Sequence, residues 1–269
     1  MTHTQIPAQY RTGRARINIE QALADAGKDL DRLEPGDLAM LEDFHTSGRI
    51  ATYHLAELLT LTPGTEVLDA GTGIGGTARY LATRFDCRVT GVDMVQEYCD
   101  TADWLNGLVG LADRIVIRQG DVTDLPFADA SFQVVFSQHV QMNVPDKAGL
   151  YREARRVLAT GGRLAIWDIV AGDGRALDYP LPWAEAPEQS HLTSPAALRS
   201  TLESTGFGIE HWADLTDSSA ATMRTVLALP ESPLGLHAFV PNFRERAEHL
   251  TEALADGRLR AIQVVAGAE

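Results

Sequence analysis

The chain contains little cysteine: Cys87 and Cys99 are the two cysteines among its 269 residues. Two cysteines cannot build a disulfide framework, and so low a content is typical of a reducing compartment. No run of about 18 apolar residues could span a membrane. The N-terminus lacks the apolar core and small-residue cleavage site of a secretory signal. We therefore expect a cytoplasmic protein without a membrane partner.

Basic residues are also scarce. The chain has 23 Lys and Arg against 37 Asp and Glu, which gives a formal net charge of −14. Such a surface repels phosphate backbones, so we expect no nucleic-acid partner. No pair of His or Cys residues has the spacing of a metal site, and we expect no bound metal. The composition is that of a globular enzyme, here a monomer or a homodimer acting on a small molecule.

The middle of the chain alternates short apolar runs with helical stretches. A helical apolar pattern between Leu38 and Leu59 ends at Pro63-Gly64. Beyond it, five short apolar runs are predicted to be strands, with helices between most of them. This alternation predicts a parallel sheet that is covered by helices on both faces. The predicted strands are residues 66–70, 88–92, 115–118, 132–136 and 163–169.

The pattern changes after the fifth strand. Residues 172–195 are rich in Pro, Gly and Trp and predict an ordered insertion. Ser194-Pro195 is a good helix start, with Ser as the cap and Pro at the first helical position. Strands are predicted at 207–212 and 258–265, with about forty mostly helical residues between them. We expect these two strands to form a hairpin at the edge of the sheet.

The strongest motif is a glycine-rich loop that follows the first strand. It contains Asp69, Gly71, Gly73, Gly75 and Gly76. Glycines allow a tight turn and let a ligand approach the backbone. The spacing fits both the dinucleotide fingerprint and the loop of S-adenosylmethionine enzymes, so the loop alone does not choose between these cofactors.

Two acidic residues at later strand ends favour S-adenosylmethionine. Asp93 ends the second strand, about twenty residues beyond the loop, where a carboxylate accepts both ribose hydroxyls of either cofactor. Asp121 follows the third strand, where a carboxylate can accept the adenine amino group. A nicotinamide fingerprint does not include this second acidic residue. About sixty residues precede the loop, whereas a dehydrogenase places it near the start of the chain.

With these motifs, residues 61–170 resemble the class I S-adenosylmethionine-dependent methyltransferases. They are most similar to the small-molecule branch with quinone C-methyltransferases, sarcosine/dimethylglycine N-methyltransferases and phosphoethanolamine N-methyltransferases. Thr160 and Gln133 depart from the usual proline and aspartate of the family. The matching segments are Asp69 to Gly75, Gly91 to Asp93, Gly120 to Phe127, Ser131 to Val135 and Arg156 to Leu164.

The resemblance implies an α/β fold: a Rossmann-like, seven-stranded, mostly parallel sheet with helices on both faces. Residues 1–60 would form a helical N-terminal cap and residues 61–170 the S-adenosylmethionine-binding core. Residues 171–269 would add a helical insertion before the last strand and complete the same domain.

The resemblance also implies roles for individual residues. The three glycines Gly71, Gly73 and Gly75 would pass beneath the methionine part of the cofactor. Asp69 would support its ammonium group, and Ser137 would offer its backbone carbonyl to it. The remaining residues would hold the nucleoside: Asp93 the ribose, Met94 the adenine face, and Asp121 and Val122 the adenine edge.

Polar residues after the fourth strand are candidates for the substrate side. Ligands of open parallel sheets lie outside the carboxyl ends of the strands. Gln138, His139 and Asn143 follow that strand, and we expect them to face the transferred methyl group and its acceptor. They could instead brace the loop. In phosphoethanolamine-type relatives a catalytic histidine lies at the position of Asn143, so that histidine is not carried over.

Two other segments are candidate walls of the same pocket. His45, Arg49 and Tyr53 are four residues apart and would share one helical face. Trp183, in the segment 179–191, could form an aromatic wall against an apolar or cationic acceptor. We expect both segments to border the pocket above the carboxyl edge of the sheet.

The sequence therefore predicts a methyltransferase that moves a methyl group from S-adenosylmethionine to an O, N or C atom of a small metabolite, with S-adenosylhomocysteine as product. His139 or His45 could serve as a general base. The alternatives are a nicotinamide-dependent oxidoreductase and a non-catalytic cofactor-binding protein of the same fold.

Overall fold

A computed structural model of the protein describes residues 10, 12–42, 45–230 and 232–268. Within these ranges, seven strands form one sheet in the order β3-β2-β1-β4-β5-β7-β6. The strands are β1 (Glu66–Ala70), β2 (Arg88–Asp93), β3 (Ile115–Gln119), β4 (Phe132–Gln138), β5 (Leu158–Ala171), β6 (Phe207–Asp214) and β7 (Leu259–Ala268).

The sheet is mostly parallel. Strands β3, β2, β1, β4 and β5 pair in parallel, and β7 pairs antiparallel with both β5 and β6. The strand order changes direction at β1: β2 and β3 lie on one side of this strand, and the later strands, beginning with β4, lie on the other. The predicted fold class and the terminal hairpin are confirmed. In this hairpin β6 is the outer strand, and β7 fills the place between β5 and β6.

Helices connect the strands and precede them. Ser194 caps the helix that follows it, as predicted, by accepting a hydrogen bond from the backbone N–H of Ala197 at 3.2 Å. None of the described helices is both long and apolar enough to span a membrane. The helices are α1 (Ala15–Asp25), α2 (Ala39–Glu42), α3 (Gly48–Glu57), α4 (Gly76–Phe85), α5 (Gln96–Leu108), α6 (Lys147–Val157), α7 (Pro195–Ser204), α8 (Thr216–Ala228) and α9 (Phe243–Ala255).

Apolar side chains cover both faces of the sheet. Side chains alternate between the faces along a strand. Accordingly Val67 contributes to one buried cluster, with Leu81 of α4, while its neighbour Leu68 contributes to a second cluster, with Tyr151 of α6. A strand with both faces buried reads as a continuous apolar run, which is why β1 and β4 could be found in the sequence.

A third apolar cluster lies at the carboxyl end of the sheet. It joins Leu23 of α1 and Leu41 of α2 to Ile74 of the glycine loop and Tyr98 of α5. Phe239, from the segment between α8 and α9, packs into the same cluster. The N-terminal helices and a distant C-terminal segment therefore cover the edge of the sheet at which parallel strands end.

A buried ion pair fastens this cover to α4. The Arg79 Nε donates to Glu42 Oε1 at 2.5 Å, and both side chains are almost completely buried. Arg79 also donates to Asn106 Oδ1 at 2.8 Å and to the carbonyl oxygen of Ile74. Glu42 receives a second hydrogen bond from Arg49. Each charge is thus paired and hydrogen-bonded, as a buried charge must be.

Replacing Arg79 by methionine is expected to lower the free energy of unfolding by about 3 kcal/mol, because the Glu42 carboxylate would remain buried with a partner removed. Urea denaturation of the two proteins measures this loss. Arg114→Ala is the matched control, since its ion pair with Asp86 is exposed and such pairs contribute about 0–1 kcal/mol. Equal losses in the two variants would contradict a special role for the buried pair.

Candidate active site

The glycine loop leaves the end of β1 in a conformation that only glycine adopts without strain. Gly71, Gly73 and Gly75 all have positive φ angles, of 83°, 55° and 88°. A Cβ atom on Gly71 would lie 2.3 Å from Cγ2 of Val140. The Gly71 N–H donates to the Val92 carbonyl oxygen at 2.8 Å. The loop is therefore held between β2 and the segment that follows β4, with its backbone facing the carboxyl end of the sheet.

Two carboxylates, the buried Asp69 and the partly buried Asp93, shape this loop. Asp93 Oδ2 accepts a hydrogen bond from the Gly73 N–H at 2.9 Å, and its Oδ1 accepts one from the Val95 N–H at 2.9 Å. The Thr72 hydroxyl donates to Asp69 Oδ2 at 2.6 Å. Burial raises the pKa of Asp93 above its ordinary value, and burial raises the pKa of Asp69 to about 7. A cation bound beside these groups would favour their ionised forms.

One cavity, the central cavity, collects most of the predicted site residues. It lies over the ends of β1, β2 and β4 and receives side chains from the glycine loop, the segment after β4 and the N-terminal cover. The predicted residues that line it are Asp69, Gly71, Gly73, Asp93, Met94, Asp121, Val122, Gln138, His139, Asn143 and His45. The structure thus brings together eleven residues that are distributed over about a hundred positions of the chain.

His139 lies in this cavity with one ring nitrogen occupied. Its Nε2 accepts a hydrogen bond from the Thr46 N–H at 3.3 Å and lies 3.2 Å from the Thr46 hydroxyl. That hydroxyl also accepts a bond from Trp167 Nε1 at 2.9 Å. Burial, together with the neighbouring His45, lowers the pKa of His139 well below 6.5. A backbone N–H can only donate, so Nε2 is unprotonated and the ring proton lies on Nδ1.

His45 belongs to a polar network with Gln138. Its Nε2 lies 3.2 Å from the Thr52 hydroxyl and 3.3 Å from Gln138 Nε2. Its Nδ1 lies 3.4 Å from the Thr46 carbonyl oxygen, which can only accept. The Thr77 hydroxyl donates to Gln138 Oε1 at 3.0 Å. The two histidine rings meet edge to face with centroids 5.9 Å apart.

A buried carboxylate holds the backbone that carries His139 and Asn143. Asp168 Oδ2 accepts the N–H groups of Val140 and Gln141 at 3.1 and 3.0 Å. Burial raises the pKa of Asp168 to about 7. His139 itself has a φ of 54°, and its N–H donates to the Trp167 carbonyl at 2.8 Å. The turn after β4 is thus held from β5, and sequence reasoning did not identify Asp168.

The prediction that His45, Arg49 and Tyr53 share one helical face is wrong. Helix α3 begins only at Gly48, after Ser47 in a left-handed conformation, so His45 precedes the helix. Arg49 Nη2 forms an ion pair with Glu42 Oε2 at 2.7 Å, and Tyr53 is 42% exposed. Of the three, only His45 lines the central cavity. Helical spacing shows which residues align, but only where the helix continues.

The prediction that Trp183 forms an aromatic wall of the pocket is also wrong. Trp183 is buried in an apolar cluster with Leu181 and Ile169, and its Nε1 donates to Ser190 Oγ at 2.9 Å. No described residue of the segment 179–191 lines the central cavity. The segment instead supports the turn after β4 from behind, since the His191 N–H donates to the Met142 carbonyl at 2.8 Å.

Two residues with predicted cofactor roles lie beside the cavity without lining it. Gly75 precedes α4, where a Cβ atom would lie 2.9 Å from Arg79 Nη1. Ser137 is buried in β4, in register with Ala70 of β1. Their roles stay predictions. Three further lining residues lie within the matched motifs but were given no role there: Thr72, Ile74 and Gly120. The lining residues outside the motifs are Tyr10, Glu42, Thr77, Val95, Tyr98, Val140, Val144 and Phe239.

The chain is similar to known methyltransferases. Residues 68–166 match the family model described as a methyltransferase domain. A glycine/sarcosine/dimethylglycine N-methyltransferase of Actinopolyspora halophila is 29% identical over 191 residues, which are 71% of this chain and 34% of that protein. A 27-O-demethylrifamycin SV methyltransferase of Amycolatopsis mediterranei strain S699 is 37% identical over 119 residues, 44% of each chain.

The fold has solved counterparts. The structure of a putative sarcosine dimethylglycine methyltransferase from Galdieria sulphuraria matches with a TM-score of 0.70 and 21% identity, over 95% of this chain and 98% of that one. The chain spans between about a third and a half of the length of the first curated relatives it matches. The resemblance to S-adenosylmethionine-dependent methyltransferases that the motifs indicate is confirmed by the domain match and by these relatives.

The hydrogen bond from the Thr46 N–H to His139 Nε2, together with the lowered pKa of this ring, predicts that the folding stability depends on pH. The unfolded chain binds a proton at this ring below about pH 6.5 and the folded protein does not, so folding stability falls as the pH falls, by up to about 1.4 kcal/mol per pH unit. His139→Asn, which tolerates the positive φ, should lose this part of the slope in urea denaturation between pH 5 and 7. His54→Asn, at an exposed position of α3, should keep it. An unaltered slope in the His139 variant would mean that this ring titrates normally.

Proposed function

We propose that this chain, whose residues 68–166 match a methyltransferase domain, transfers a methyl group from S-adenosylmethionine to a small-molecule acceptor. One observation carries the proposal. Carboxylates at the ends of three neighbouring strands, Asp69 of β1, Asp93 of β2 and Asp121 after β3, line the same cavity as the glycine loop. S-adenosylmethionine carries an ammonium group, a sulfonium, two ribose hydroxyls and an adenine amino group, all of which favour such acceptors.

The residues present fit this cofactor. The Gly73 N–H already fixes one oxygen of Asp93, which leaves lone pairs of the carboxylate for the ribose hydroxyls. A Cβ atom on Gly73 would meet nothing within 4 Å, so the backbone here borders open space that a ligand can fill. Met94 and Val122 offer apolar contacts beside Asp93 and Asp121 for a flat ring.

When bound, S-adenosylmethionine supplies a methyl group that its sulfonium has already activated. The chain then has to orient donor and acceptor and exclude water. The N-terminal cover contributes Glu42 and His45 to the lining of the cavity, so it would shield a bound ligand from part of the solvent. His45, His139, Gln138 and Asn143 face the acceptor side and orient its reacting group.

A small-molecule acceptor fits the enclosed, partly apolar cavity. The relatives described above act, by their names, on amino acids and on a rifamycin, so their acceptors differ widely. The acidic net charge of the chain supports action without nucleic acid. We place the protein in the cytoplasm as a monomer or a homodimer, in keeping with two free, buried cysteines.

Asp93→Asn tests the cofactor assignment. Loss of the negative charge should weaken binding of S-adenosylmethionine by roughly 10- to 100-fold, since a hydrogen bond to a charged group contributes about 1.5–3 kcal/mol. Isothermal titration calorimetry with S-adenosylmethionine and S-adenosylhomocysteine measures the change. Asp113→Asn, at an exposed position after α5, should bind as the unaltered protein does. Unchanged affinity of the Asp93 variant would contradict the assignment.

Turnover with methyl-labelled S-adenosylmethionine and a panel of small metabolites tests the activity itself. Transfer of label to at least one member is the expected outcome. Tight binding of NADH or NADPH, with no measurable binding of S-adenosylmethionine, would instead support the nicotinamide alternative.

A further inference from the structure

Two polar side-chain atoms on the turn after β4 line the central cavity and have no hydrogen-bond partner among the described residues. The first is Nδ1 of His139, because the polar contacts of this ring with Thr46 both involve Nε2. The second is Oδ1 of Asn143, which is buried and unpartnered. Both residues line the cavity and lie four positions apart on the turn after β4. A buried polar atom without a partner costs free energy, so Asn143 Oδ1 indicates a ligand, and His139 Nδ1 is available to the same ligand.

The two atoms have opposite hydrogen-bonding character. The Thr46 N–H occupies the lone pair of Nε2, which leaves the ring proton of His139 on Nδ1 as a donor. Asn143 Nδ2 is directed to the His139 carbonyl oxygen at 3.5 Å, and the Asn143 side chain also hydrogen-bonds Tyr10. Its Oδ1 has no partner of its own and remains as an acceptor. The turn therefore presents one donor and one acceptor to the same space.

From this arrangement we infer that His139 and Asn143 form a binding site for a hydroxyl group of the methyl acceptor. The hydroxyl oxygen accepts a hydrogen bond from His139 Nδ1, and the hydroxyl hydrogen is donated to Asn143 Oδ1. The inference deepens the proposed function and rests on it, since it names the acceptor as a hydroxyl-bearing molecule such as an alcohol, phenol or enol.

Other polar groups fit the pair less well. A carboxylate has no hydrogen for Asn143 Oδ1, and it would face the carboxylates of Glu42, Asp69 and Asp93. An alkylamine is protonated near neutral pH and has no lone pair for His139 Nδ1. A hydroxyl group satisfies both atoms at once because it donates and accepts.

The geometry also gives His139 a different task from the general base that its position in the sequence suggested. Nδ1 already carries the ring proton and cannot accept another. Nε2 accepts the backbone N–H of Thr46, so neither nitrogen is available as a base. His139 is therefore a binding and specificity residue. It selects the acceptor by donating a hydrogen bond, and the buried Asp168 keeps its backbone in place.

Nuclear magnetic resonance of the full chain, labelled with [15N]histidine and saturated with S-adenosylhomocysteine, tests the first step. Long-range 1H–15N correlations report which ring nitrogen carries the proton, and the His139→Gln variant assigns the signals. His249 is an internal reference for the Nδ1-protonated form, because its Nδ1 lies 3.0 Å from the Pro180 carbonyl. We expect the His139 proton on Nδ1. A proton on Nε2 would overturn the inference.

Titration of the same sample with phenol, benzylamine and benzoate tests the second step with three probes of one ring size. Phenol at millimolar concentration should shift the His139 Nδ1 signal, and Asn143→Ala should abolish or strongly weaken the response. An equal or larger shift with benzylamine or benzoate, or no shift with phenol, would overturn the hydroxyl site. These readouts do not depend on methyl transfer, so failure of the proposed function would appear separately, as absence of label transfer or of cofactor binding.

Discussion

The buried ion pair between Glu42 and Arg79 is the constraint on which the cavity depends. Parallel strands leave their carboxyl ends open, and ligands of such sheets bind there. In this protein the N-terminal residues cover that edge. The Arg79 guanidinium connects Glu42 of this cover to the Ile74 carbonyl of the glycine loop and to Asn106 of α5. A buried charge pair tolerates little displacement. The cover and the loop therefore keep one relative position, and this position encloses the space between them.

Inside the cavity, backbone contacts hold the turn after β4 and determine the tautomer of His139. The turn after β4 would be free to move if it were held only by its own short helix. Asp168 accepts two of its N–H groups, and the Trp167 carbonyl accepts the N–H of His139. Thr46, from the cover, then places its own N–H on His139 Nε2. Elements from both ends of the cavity thus determine which nitrogen of one imidazole carries the proton.

The fold and the cofactor side could be predicted because their signals are local. Glycines at 71, 73 and 75 are required by positive φ angles, and Asp93 is the last residue of its strand. The covering residues could not be predicted in the same way. Glu42 and Phe239 reach the cavity through contacts with elements far away in the chain, and no periodicity records such contacts. Tyr53 and Trp183 have suitable chemistry for an acceptor wall, but the break before α3 and the packing behind the turn direct them elsewhere.

The proposed function requires that the cavity over β1, β2 and β4 bind S-adenosylmethionine and leave room for a small acceptor beside His139. A crystal structure of the protein with S-adenosylhomocysteine tests it most directly. We predict that the ribose lies at Asp93, that the adenine lies at Asp121 and Val122, and that the sulfur atom is directed to the space between His45, His139 and Asn143. Adenosine bound elsewhere, or a sulfur atom directed away from these residues, would contradict it.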